Sequence, residues 1–116
     1  MRRSAAMVWI LVAIGLSAAA THDYFAWNRA RWDAIHAAEK LGATPDTLDG
    51  GFEYNGFNRF ERKPRDKVPG KSSWWVKDDQ YIVAFVPVSG YEEIGSFPVR
   101  RWLPRTPSVV RLLRRR

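Results

Sequence analysis

Between Asp23 and Leu41 the chain carries a stripe that admits few kinds of partner. Trp27, Ala30, Ala34, Ala37, Ala38 and Leu41 recur at steps of three and four, Ile35 widens the band, and Arg29, Asp33, His36 and Lys40 fall on the other side. The pattern predicts an amphipathic helix with one face in the core and one in water. Alanines dominate the apolar face, so a partner can approach close to the helix axis, and a sheet is the element flat enough to do so. Thr21 or Asp23 is placed to cap the start of this helix. Gly42 is placed to end it in the left-handed conformation, and Pro45 blocks continuation.

Upstream, Ala5 to Ala20 holds no charged residue and follows Met1-Arg2-Arg3. Two readings compete. Ala18-Ala19-Ala20 supplies the small-residue end of a signal peptide, which would leave a chain starting at Thr21. Alternatively the run is a membrane anchor, short for a bilayer core that asks for about 20 residues but extendable by Met1 and Ser4 on one side and Thr21 on the other. Either way the two arginines favour the cytoplasmic side, and all that follows Thr21 is expected in the periplasm or outside the cell. The expected division is residues 1–21 as anchor or signal peptide and 22–116 as one extracytoplasmic domain.

After Gly42 the chain turns often. Gly50-Gly51 leads into Phe52-Glu53-Tyr54, whose alternation predicts a half-buried strand closed by a turn at Asn55-Gly56. Charge and proline then crowd Asn58 to Ser73, so an exposed, mobile loop is expected over about residues 57–72. Further strands are predicted at Trp74–Val76, Tyr81–Val86, Tyr91–Phe97 with a bulge at Gly95, Val99–Leu103 as an edge, and Ser108–Leu113. Tyr81–Val86, the most apolar of them, is expected at the centre. Strands following a helix predict an α+β fold, here a helix packed on a small antiparallel β-meander.

The formal charge of +7 is concentrated at the ends. Seven arginines and no acid lie between Arg100 and Arg116, whereas the body is close to neutral, which argues against a nucleic-acid face built into the fold. Arg114, Arg115 and Arg116 are therefore candidate contacts to an anionic surface. Cysteine is absent, so disulfides and thiolate metal sites are excluded. His22 and His36 offer no zinc spacing, and no metal or other cofactor is expected. No serine sits in a nucleophile-elbow context, and Gly50-Gly51 lacks the lysine of a phosphate loop. Asp49 and Glu53 are close enough in sequence to be weighed as a hydrolytic pair.

Aromatic density is the more pointed signal. Trp74 and Trp75 must face opposite ways if they lie in a strand, which leaves at least one indole outside the helix-covered core. Near Asp49, Glu53, Asn55 and Asn58, such an indole would suit a sugar ring or a lipid headgroup.

The strings His22-Asp23-Tyr24-Phe25-Ala26-Trp27-Asn28-Arg29-Ala30-Arg31-Trp32, Asp49-Gly50-Gly51-Phe52-Glu53-Tyr54-Asn55-Gly56 and Ser73-Trp74-Trp75-Val76 resemble the extracytoplasmic C-terminal segment of bacterial multi-spanning glycosyltransferases. That family is similar to the dolichyl-phosphate-mannose protein mannosyltransferases and the lipid A aminoarabinose transferases. The resemblance implies that Ala5 to Ala20 is a last membrane helix, that the ligand is a polyprenyl-linked sugar or glycan, and that the rest of a split transferase is a partner. It also implies a catalytic acid in an early loop that these residues do not include, so a non-catalytic, membrane-anchored domain is expected. The alternative from another class is a small secreted protein that binds anionic lipid or polymer through its arginine-rich end.

Overall fold

A computed structural model of the chain describes residues 2–59, 76, 78–104 and 108–116. Its frame is a single helix, α1 (Arg2–Lys40), 39 residues long, so the apolar run and the amphipathic stretch form one unbroken rod. The expected cap at Thr21 or Asp23 does not exist. Nothing in Ala18 to Asp23 breaks a helix, and the Asp23 carboxylate is engaged by a distant loop instead.

The two halves of α1 differ in what surrounds them. Met7, Val8, Trp9, Ile10, Leu11 and Val12 are all exposed, and six successive positions at about 100° each cover the whole circumference. A helix apolar all round needs an apolar surround on every side. By length and composition this part of α1 is able to cross a membrane. From Ala26 onward the rod is one-sided: Ala26, Ala30, Ala34, Ile35 and Ala38 are buried, while Arg29, Asp33, His36 and Lys40 are exposed, as the stripe predicts. Leu41 departs from it and is 57% exposed. Gly42, at φ 93°, closes the helix with its N–H on Glu39 O and the Ala43 N–H on Ala38 O. In that closure the residue after the glycine returns to the core, so Ala43 takes the place expected of Leu41.

The sheet comprises β1 (Leu48–Asp49), β2 (Tyr81–Ala84), β3 (Tyr91–Val99) and β4 (Ser108–Arg115) in the order β1-β2-β4-β3. The α+β class holds, but the sheet is mixed and is not a meander. β1 pairs parallel to β2, whereas β4 lies between β2 and β3 and runs antiparallel to both. Burial explains the insertion. β4 carries Val110, Leu112 and Leu113, all essentially inaccessible, while β2 buries Ile82 alone, so the C-terminal strand holds the centre that Tyr81–Val86 was expected to fill. The expected irregularity in β3 is present as a register shift between Glu93 and Gly95. No strand continues through Val99–Leu103; β3 ends at Val99.

Phe52-Glu53-Tyr54 is not a strand. It opens α2 (Phe52–Arg59), and Asn55-Gly56 lies within that helix. Three alternating residues fit either period, and the local chemistry decides. Gly51, at φ 90°, redirects the chain, and the Asp49 side chain accepts the Gly51 N–H (3.1 Å) in the manner of a helix cap. Val76 is buried but outside any strand, and Trp74 and Trp75 lie outside the described residues, as does nearly all of the expected loop at 57–72. The core joins the alanine face of α1 to Leu48, Tyr54, Val99, Val110 and Leu112.

Candidate functional site

Down the inner face of α1, Leu16, Ala20, Trp27, Arg31, Ala34 and Ala38 fall close to one line at about 100° per residue. Along it the environment changes from exposed apolar surface, through a groove, to a polar cluster and then the core.

Arg31 is the unexpected member. It is 6% exposed, in the middle of the buried stripe, and its guanidinium donates to Glu53 on α2 while lying 5.0 Å from the centre of the Trp27 ring. Glu53 is about half exposed and also accepts the Tyr24 hydroxyl at 3.2 Å. A buried cation thus holds a carboxylate at the surface, beside a phenol and an indole. The stripe's own periodicity marked position 31 as inward-facing; residue type alone hid it.

The other expected contacts behave differently. Asp49 and Asn55 are buried and closed on each other: Asn55 Nδ2 donates to Asp49 Oδ1 (2.7 Å), and Gly50 N–H donates to Asn55 Oδ1 (3.2 Å). They clamp the start of α2. Gly50 is part of that closure, since a Cβ there would sit 2.7 Å from the Tyr54 ring. Asn58 Nδ2 donates back to Tyr54 O (2.9 Å) within α2. Asp49 and Glu53 therefore serve different partners, and only Glu53 faces solvent. Tyr54 donates to Glu39, and burial, with the negative Glu39 beside it, pushes its hydroxyl up to about 12. Beyond the clamp, Phe52 and Phe57 expose aromatic faces on α2 that the strand reading did not bring forward.

The C-terminal arginines are strand residues with acidic neighbours. Arg114 Nε donates to Glu92 (2.9 Å), Arg111 Nε to Glu93 (2.9 Å), and Arg115 to Asp78 (3.1 Å) and Asp79. Glu92 raises the Arg114 pKa, and hydrogen bonding to Tyr91 and Asp79 raises that of Arg115. Arg116 is exposed, with its backbone N–H on Gly90 O.

At the foot of the domain, the Asp23 carboxylate accepts the backbone N–H groups of Trp102 (2.6 Å) and Leu103 (2.8 Å), and His22 stacks on Trp102 with ring centres 3.9 Å apart. The N–H of Trp102 is the chief cause of an Asp23 pKa lowered to about 2, aided by His22, Leu103 and Arg101 against the opposing effect of burial. Beside this tie lies an open groove of about 640 Å³, lined by Leu16, Ala20 and Trp27 on α1 and by Phe85, Arg101 and Leu103 among the residues opposite. Among the described residues, no group of three or more metal-binding side chains converges. Compared with known proteins, the chain matches no family model, no curated protein and no solved structure.

Proposed function

We propose that the chain is a membrane-anchored, non-catalytic extracytoplasmic domain that contacts a polyprenyl-linked sugar or glycan close to the bilayer. In this reading it is a counterpart of the terminal domain of a polyprenyl-phosphate-sugar-dependent glycosyltransferase, and the rest of a split transferase is a partner through the apolar half of α1. The observation that carries the reading is the continuity of α1. With no break between Ala20 and Arg31, a rise of about 1.5 Å per residue sets the Arg31–Glu53 pair roughly 16 Å beyond the end of the uncharged run, the level of a headgroup sugar. The basic start of the chain favours a cytoplasmic N-terminus, which sets the domain on the opposite side.

The chemistry of the cluster supports a carbohydrate ligand. Glu53 offers carboxylate oxygens to sugar hydroxyls, and Tyr24 offers a donor and acceptor beside it. The non-catalytic reading is supported by the engagement of the two nearest carboxylates, since Asp49 is closed by Asn55 and backbone while Glu53 is ion-paired. Nucleic acid is not a partner in this reading, because Arg111, Arg114 and Arg115 already meet acids of the same domain.

The full chain in lipid nanodiscs, titrated with a short-chain polyprenyl-phosphate sugar, should bind saturably. Glu53→Gln and Tyr24→Phe should each weaken that binding, and Arg100→Gln should not. No saturable binding, or equal binding by all four proteins, would remove this function. Alkaline extraction of membranes separately tests the anchor: the intact chain should stay with the membrane, and recovery of a soluble species starting at Thr21 would sink that half of the reading.

A further inference from the structure

The groove at the foot of the domain shares Tyr24 with the sugar contact proposed above, but the rest of its lining takes no part in that contact. Its floor joins two regimes: Leu16 and Ala20 belong to the uncharged run, whereas Trp27 and the facing Phe85 and Leu103 belong to the domain. Phe85 stacks on Trp27 with ring centres 5.8 Å apart, and the Asp23 carboxylate ties down the backbone of Trp102 and Leu103. Both lips are therefore fixed to α1 and are not loops that happen to hang near it. Phe85, Trp102 and Leu103 nevertheless stay about half exposed, an apolar rim just above a helix that is itself apolar all round.

One polar feature bears on what fills the groove. Asp23 has its oxygens occupied by two backbone N–H groups and His22, with Arg101 Nε 3.9 Å away; Arg101 Nη2 donates to Leu103 O (3.3 Å), and its remaining guanidinium N–H groups are the charged donors that line the groove. An open, largely apolar groove with a guanidinium in its lining asks for a molecule with an apolar tail and an oxygen-rich anionic head.

We infer that this groove is a lateral site for a phospholipid of the surrounding bilayer, with one acyl chain lying along Leu16, Ala20, Trp27 and Leu103 and the phosphodiester meeting Arg101. The inference rests on the membrane-anchored reading, which puts the Leu16 end at bilayer depth, where lipid is the neighbouring molecule. Continuity with the span selects lipid over a soluble ligand, since the groove opens along the side of the same helix. Arg101 suits the phosphate because its planar fork matches two oxygens at once.

The test is native mass spectrometry of the full chain released gently from phosphatidylglycerol nanodiscs. Wild type should retain a single phospholipid. Ala20→Phe fills the groove from an exposed helix position and should retain about tenfold less, the equivalent of about 1.4 kcal/mol. Leu11→Phe, on the span outside the groove, should match wild type. Arg101→Gln should abolish any preference for phosphatidylglycerol over diacylglycerol, which lacks the phosphate. Equal retention by wild type and Ala20→Phe would overturn the site. Retention of a polyprenyl phosphate to the exclusion of phospholipid would overturn the occupant, and so would a dimer lost on Ala20→Phe with no lipid bound. Alkaline extraction of the same membranes separates the failures: a released chain sinks the anchor as well, and a retained chain without groove lipid sinks this inference alone.

Discussion

Asp23 shows how one side chain can hold a loop to a helix without lying in the core. Its folded pKa of about 2, against 3.8 ordinarily, is a depressed carboxylate, so the stability it contributes is fully present above the unfolded value and is lost as pH falls through the folded one. Release of the Trp102–Leu103 segment is therefore expected between about pH 4 and pH 2. Acid titration followed by indole fluorescence should show a step in that window for wild type that Asp23→Asn lacks; identical curves would separate the tie from the titration. Neither this tie nor the burial of Arg31 stood out in the sequence. Asp23 lies 79 residues from Trp102, a separation that no local pattern spans. Arg31 was visible by angle and hidden by type, because a stripe chosen for apolar residues passes over the one cation inside it.

At the scale of elements, α1 was the most legible part and its neighbours the least. The alanine face was readable because spacing over nineteen residues averages out local ambiguity. Ala34, wholly buried against the sheet, gives the sharpest check. Ala34→Asp should destabilise by several kcal/mol in chemical denaturation, whereas Arg29→Ala on the exposed side should cost less than about 1 kcal/mol. Comparable losses would mean the inward face had been misplaced. α2 was unreadable for the opposite reason. Phe52-Glu53-Tyr54 is too short for a period to emerge, and its helical state depends on the Asp49–Asn55 clamp, a tertiary fact. β1 pairs through two residues only and was equally invisible.

For the whole molecule, the decisive event is the return of the C-terminal strand to the middle of the sheet. Sequence order suggested a meander; burial of Val110, Leu112 and Leu113 gave β4 the two-sided position instead. That placement changes what the arginines are for. Read along the chain, seven arginines lack an acid; across the sheet, Arg111, Arg114 and Arg115 find Glu93, Glu92, Asp78 and Asp79 on neighbouring segments. Deleting Arg114 to Arg116 should therefore lower the melting temperature of the chain, and added salt should lower that of wild type more than that of the truncated chain, since exposed pairs are screened. A deletion that leaves melting unchanged yet weakens association with acidic vesicles would return the arginines to a membrane role.

The unbroken α1 also turns residue count into an angle. With no joint between the apolar run and the domain, each residue between Ala5 and Ala20 fixes the compass bearing of the sheet relative to whatever that run touches, at about 100° per position. One residue more or fewer there would swing everything before it by about 100° relative to Trp27 while leaving every contact above Ala26 intact, whereas an insertion of seven would restore the bearing to within about 20°. Under the membrane-anchored reading this run therefore works as a dial as well as a tether, and its exact length is a coordinate of the domain it carries.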